Sequence, residues 1–167
     1  MKVIAVVSAK GGVGKTTLTA NLATALQHQG VATVCVLDTD AQNALALHFG
    51  GDPQAIAGVS RATLAGQDWA SVCVRGASGV FVLPYGLVNE TGRVAFERHL
   101  DAHPGWVAQQ LHNLHLPADA VVLIDTPPGP SVYMQQALTA AHAVVIVSLP
   151  DAASYAALAL MQRLVQT

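Results

Sequence analysis

Short apolar runs, each closed by polar or glycine-containing residues, set the frame of this chain. Val3-Ile4-Ala5-Val6-Val7, residues 32–37, Val80-Phe81-Val82-Leu83, residues 120–124 and residues 143–147 show almost no alternation of apolar with polar positions. A strand with one wet face alternates, whereas a strand covered on both faces reads as a continuous, β-branched run. These five runs are therefore predicted to be strands of a mostly parallel sheet with helices on both faces. The intervening segments carry helical spacing instead. Residues 16–29 place Leu18, Leu22, Ala25 and Leu26 on one face and end at Gly30, and further helices are predicted over 89–100, 106–115, 131–141 and 152–165. Gly50-Gly51-Asp52-Pro53 and the stretch from Gly76 to Gly79 read as turns. Strands alternating with helices over 167 residues predict a single α/β domain, residues 1–167, large enough to bury a sizeable core.

The first strand runs into Ala9-Lys10-Gly11-Gly12-Val13-Gly14-Lys15-Thr16-Thr17, and the first helix follows at once. This fits the phosphate-loop pattern, in which a glycine-rich turn aims successive backbone N–H groups at phosphate oxygens. In that reading residues 10–17 hold the nucleotide: Lys15, on an open loop, neutralises the β- and γ-phosphates, Thr16 ligates Mg²⁺, and Thr17 meets the α-phosphate at the helix N-terminus. Asp38-Thr39-Asp40 closes the second run and Asp125-Thr126-Pro127-Pro128-Gly129 the fourth. Ligands of parallel α/β sheets bind beyond the carboxyl ends of the strands, so Asp38, Asp40 and Asp125 are predicted to gather round the nucleotide and its metal. Asp125 is the natural residue to hold that Mg²⁺ from behind, through the groups that ligate it. A lone carboxylate after a strand is more often a cap, and the phosphate loop is what turns the reading toward function.

Charge narrows the range of partners. Charged residues make up 11% of the chain, against roughly 25% in ordinary soluble domains, and the mean hydropathy is +0.43. So much uncharged surface favours a partner interface. The net charge is −2, two of the three lysines lie in the loop, and Arg61, Arg75, Arg93, Arg98 and Arg163 are dispersed, so no basic patch for nucleic acid is visible. No apolar run approaches the ~18 residues of a membrane span. Met1-Lys2 leads directly into the first strand rather than into a signal peptide, and a cytoplasmic location is expected. Cys35 and Cys73 lack CxxC spacing and read as reduced, structural thiols. His99 with His103, and His112 with His115, have spacings that align on a helix face, but Pro104-Gly105 breaks the helix between the pairs and polar-face histidines are the better reading than a zinc site. Trp69 and Leu83-Pro84-Tyr85 read as packing residues of a short helix and a strand end.

In order, residues 10–17, Leu37-Asp38-Thr39-Asp40-Ala41-Gln42 and Ile124-Asp125-Thr126-Pro127-Pro128 resemble the deviant Walker A, switch I and Walker B/switch II motifs of the ParA/MinD ATPases. The resemblance implies a P-loop NTPase sheet of order 3-2-4-1-5, counting the apolar runs along the chain. It also implies slow hydrolysis of Mg²⁺-ATP by a homodimer in which Lys10 reaches the nucleotide of the other subunit. Lys10, Lys15 and Asp40 would then be catalytic, Asp40 orienting the attacking water. Thr16, Asp38 and Asp125 would serve the metal, Asp38 through water. Ala41 departs from the pattern, since partition-type members carry Pro there. Residues 64–69 and 82–86 resemble the cellulose-synthase-operon (BcsQ-type) branch, which implies positioning of a membrane-associated machine, the cellulose synthase. Peripheral membrane association through partners, with recruitment to the inner membrane or a cell pole, goes with that implication. A non-hydrolysing, nucleotide-dependent scaffold and a ParA-type DNA partition ATPase are the alternatives, the second disfavoured by the missing basic patch. The family carries further strands and an adenine-contacting loop after the fifth strand, so this chain is expected to lack its C-terminal strands, and base recognition is left unassigned.

Overall fold

The computed structural model describes residues 1–166. In chain order the elements are β1 (Lys2–Val7), α1 (Lys15–His28), β2 (Val34–Asp38), α2 (Val59–Leu64), β3 (Val74–Arg75), β4 (Phe81–Leu83), α3 (Glu90–Ala102), α4 (Trp106–Asn113), β5 (Val121–Asp125), α5 (Val132–Ala140), β6 (Ala143–Ile146) and α6 (Ala152–Gln166). Short 3₁₀ turns over Leu45–Phe49 and Trp69–Val72 complete the chain.

The strands form one sheet of order β3-β4-β2-β5-β1-β6. Every pairing is parallel except that of β3 with β4. Taken by themselves, the strands anticipated from the apolar runs stand in the order expected, 3-2-4-1-5. The addition is β3, two exposed residues returning antiparallel along β4 through the predicted turn at Gly76–Gly79, where the Gly76 N–H donates to the Val80 carbonyl at 2.8 Å. Two residues carry no periodicity, which is why β3 leaves no trace in the pattern.

The unbroken run of β2 is explained by its burial on both faces. Cys35 and Leu37 join a large core with α2, α3, α4 and α5, while Val34 and Val36 join a smaller one beneath α1 and the Leu45–Phe49 turn. The stripe of α1 is corrected in part. Thr19, Ala20 and Ala23 form its buried face, Leu22 and Leu26 are half-buried, and Leu18 and Ala25 are exposed. Small side chains let the helix lie close to the sheet, and Gly14, in the left-handed region at φ 86°, caps the helix and fixes how it leaves the loop. Both cysteines are free thiols. Trp69 and Tyr85 are buried: the Trp69 indole N–H donates to Thr63 Oγ1 at 2.9 Å, and the Tyr85 and Tyr133 hydroxyls bond at 2.8 Å.

The start of α2 is clamped to the loop after β4. The N–H groups of Val59 and Ser60 donate to the carbonyls of Pro84 (2.9 Å) and Tyr85 (3.2 Å), and a Cβ on Gly58 would fall 2.3 Å from the Gly86 nitrogen. Backbone cannot yield there without breaking these bonds. Gly58→Ala is therefore expected to destabilise the fold by about 1–3 kcal/mol. Urea unfolding measures it, and an unchanged midpoint would contradict this packing.

Candidate nucleotide site

β1 ends beneath a loop whose turn requires glycine at two points: Gly12 and Gly14 stand at φ 73° and 86°, a region closed to most side chains. The loop opens on a cavity of about 490 Å³, lined by residues 10–17 together with Ser8, Asp40, Gln42 and Pro128. Its far wall is tied to the loop. The Gly129 N–H donates to the Ser8 carbonyl at 2.8 Å, and Thr126 Oγ1 donates to the Val6 carbonyl at 2.9 Å.

Beneath the cavity lies a cluster centred on Asp125. Asp125 is 1% exposed and Lys15 6%. The Lys15 ammonium meets Asp125 Oδ1 at 3.2 Å and donates to the Thr126 carbonyl, while Thr16 Oγ1 donates to Asp125 Oδ2 at 2.6 Å. Lys15 was expected on an open loop; the structure buries its side chain because a carboxylate and a carbonyl converge behind the loop and draw the ammonium inward. Thr16 gives its hydroxyl proton to Asp125, which leaves the oxygen's lone pairs available as a ligand for a hard cation.

Asp38 stands beside Asp125 in the register of β2 with β5 and is fully buried. Burial, and then the neighbouring charge of Asp125, push its carboxyl up to about 8, opposed by the amides it accepts. Those amides are the N–H groups of Asp40, to Oδ1 at 2.9 Å, and of Leu45, to Oδ2 at 3.1 Å. Asp38 thus shapes the turn over 38–45 from behind rather than lining the cavity. Burial also raises Asp125, against the lowering influence of Lys15 and Thr16. Asp40 does reach the cavity wall, with its Oδ1 accepting the Gln42 N–H at 2.9 Å. Thr39 locks the two strand ends together, donating from its N–H (3.0 Å) and its hydroxyl (2.7 Å) to the Asp125 carbonyl.

Lys10 is placed at the rim, where its ammonium lies 3.7 Å from Asp151 Oδ1, both side chains about half exposed. Such a surface pair is worth little and leaves Lys10 free to exchange partners. Lys15, Thr16 and Asp125 are thus in direct contact, Asp40 and Lys10 line the cavity, Lys10 at its rim, and Asp38 lies behind. Ser8, Gln42, Pro128 and the Thr126 carbonyl were not anticipated. Their positions next to the motifs were the available signal. Among the histidines, His99 stacks on His103 with centroids 4.3 Å apart and meets Trp106 edge-on at 4.4 Å. No group of three or more His, Cys, Asp or Glu side chains suited to a metal occurs among the described residues.

Comparison with known proteins agrees with this geometry. The family model for the cellulose biosynthesis protein BcsQ matches residues 1–166. An uncharacterised ATP-binding protein of Methanocaldococcus jannaschii is 34% identical over 155 residues, covering 90% of this chain and 54% of that protein. The Escherichia coli cellulose biosynthesis protein BcsQ is 40% identical over 89 residues, 53% of this chain and 35% of that protein. The chain thus spans about half the length, or less, of these curated relatives. Among solved structures, the cobyrinic acid a,c-diamide synthase of Mycobacterium smegmatis with bound ATP analogue and magnesium superposes with a TM-score of 0.83 at 27% identity, over 99% of this chain and 67% of that one. From loop, strand order and these matches together, the chain belongs to the BcsQ family of the ParA/MinD-type P-loop ATPases.

Proposed function

We propose that this chain is an Mg²⁺-ATP-dependent switch that dimerises round its nucleotide, hydrolyses ATP slowly, and positions a membrane-associated machine. The observation that carries the reading is the contact of Lys15 and Thr16 with one buried carboxylate, Asp125, under a glycine-built cavity. The loop amides and the N-terminus of α1 hold the phosphates, and the Lys15 ammonium turns from Asp125 toward them. Thr16 would ligate the Mg²⁺, with Asp125 orienting the Thr16 hydroxyl from behind, and the ion would supply charge neutralisation at the phosphates. Asp40 orients water at the cavity wall. Catalysis is then positioning and electrostatics, as phosphoryl transfer requires.

Dimerisation is supported by the rim. Lys10 stands there beside exposed Leu149 and Tyr155, 45% and 80% accessible, and Leu18 is 40% accessible at the start of α1. A second copy meeting this rim would cover apolar surface and bring its own Lys10 to the nucleotide. The family name supports cellulose synthase as the machine. The net charge of −2 argues against a DNA-partition role.

Mutation separates binding from chemistry. Lys15→Gln keeps a donor for the Thr126 carbonyl but removes the charge, and ATP affinity should fall by about a hundredfold or more while circular dichroism stays unchanged. Asp40→Ala should bind ATP within about threefold of wild type and remain dimeric, with phosphate release reduced by about a hundredfold. Lys10→Ala should weaken ATP-dependent dimerisation in sedimentation. Full turnover in Asp40→Ala would remove that residue from the mechanism, and ATP binding unimpaired in Lys15→Gln would remove the loop assignment itself.

The Asp38 carboxyl gives a pH dependence of defined sign. Its folded value, about 8, lies above the ordinary 3.8, so between those values the unfolded chain releases a proton that the folded one keeps. Stability without added nucleotide should therefore fall as pH rises through that window, by on the order of a few kcal/mol. The unfolding midpoint is expected to be lower at pH 8 than at pH 5.5, with the slope flattened in Asp38→Asn. An identical slope in that variant would show that other groups set it.

A further inference from the structure

The turn over 38–45 carries Asp40 and contains a residue that the mechanism above does not use. Asn43 is 2% exposed and has φ 50°, one of two non-glycine residues with positive φ among the described residues. Left-handed backbone is unfavourable for an L residue, and Asn is among the few that adopt it singly. Buried as well as strained, Asn43 is held by its surroundings.

What holds it, and what it holds, are both specific. Its N–H donates to the Asp40 carbonyl at 2.9 Å, while the Asp40 N–H donates to Asp38 Oδ1 at 2.9 Å. The peptide groups on either side of the Asp40 side chain are thus fixed, one by Asp38 and the other by Asn43. Asn43 Oδ1 accepts the Gly86 N–H at 3.1 Å. Gly86 is itself closely packed, since a Cβ there would lie 2.8 Å from Gly58, whose neighbours Val59 and Ser60 bond the same loop. The second polar atom, Nδ2, is buried without a hydrogen-bond partner. Asn43 is the one described residue that combines non-glycine left-handed backbone with a buried polar atom lacking a hydrogen-bond partner, and strain of this kind collects where a site must keep one shape.

We propose that Asn43 is a positioning residue for hydrolysis, clamping the 38–45 turn to the closely packed Gly86 loop so that the Asp40 carboxylate stays at the cavity wall. The inference rests on the ATPase reading above and deepens it. Asn43 touches no phosphate-loop residue in the bonds described, so its removal acts on turnover rather than on nucleotide binding.

The test compares wild type, Asn43→Gly, Asp40→Ala and the double variant. Glycine adopts φ 50° without strain, so Asn43→Gly removes the side-chain clamp while leaving the backbone conformation open to it. Expected are ATP affinity within about threefold of wild type, a kcat for phosphate release lower by about tenfold or more, and a double variant no slower than Asp40→Ala alone. Faster hydrogen exchange at the Gly86 amide should accompany the loss in kcat. Wild-type turnover in Asn43→Gly beside a slow Asp40→Ala overturns the role of Asn43 alone, as do multiplicative losses in the double variant. Loss of affinity and kcat in parallel with a lowered unfolding midpoint assigns Asn43 to stability and also overturns it. Unchanged exchange at Gly86 shows that the clamp does not exist. Absence of phosphate release from wild type overturns the ATPase reading, and this inference with it.

Discussion

Two carboxylates buried side by side at the ends of adjacent strands, Asp38 and Asp125, are the constraint on which the rest of the site depends. Neither has water to solvate it, and the charge of Asp125 makes Asp38 harder to ionise. The fold answers Asp125 with a cation and a hydroxyl, Lys15 and Thr16, and answers Asp38 with two backbone amides. The same contacts that satisfy the carboxylates fix the phosphate loop at one end of the cavity and the Asp40 turn at the other. Packing and site geometry are thus one problem solved once.

The parallel sheet makes this possible. Because β2, β5 and β1 run the same way, their carboxyl ends open at one margin, and the loops that follow them meet there. Thr39 joins two of these ends and Gly129 joins another to Ser8, so the cavity wall is built mainly from backbone bonds. Backbone built this way resists small displacements. The rim differs. Lys10 and Asp151 meet in an exposed pair, and exposed apolar side chains stand nearby.

The loop and the strands were legible in the sequence because their requirements are local. Glycine at 12 and 14 follows from the turn's backbone angles, and strands buried on both faces betray themselves by unbroken runs. The Asp residues could be placed as soon as the strand ends were known. What could not be read were relations between distant segments. The inward turn of Lys15 depends on a carboxylate 110 residues later. The rotation of α1, which buries Ala20 and Ala23 and exposes Leu18, is decided by the loop that launches it rather than by the spacing of its leucines. Asn43 gave a faint signal as an αL-tolerant residue in a turn after a strand, but its link to Gly86 exists only in the folded chain.

A magnesium nucleotide is expected to answer the charge arrangement around Asp38 and Asp125. Calorimetric titration of the chain with Mg²⁺-ATP at pH 7, in two buffers of different ionisation enthalpy, tests it directly. Because a cation and phosphates arrive beside carboxyls that burial holds above their ordinary range, binding is expected to be saturable, dependent on Mg²⁺, and accompanied by proton exchange that appears as a difference in heat between the buffers. Absence of saturable binding, or binding with the same heat in both buffers, would contradict the account.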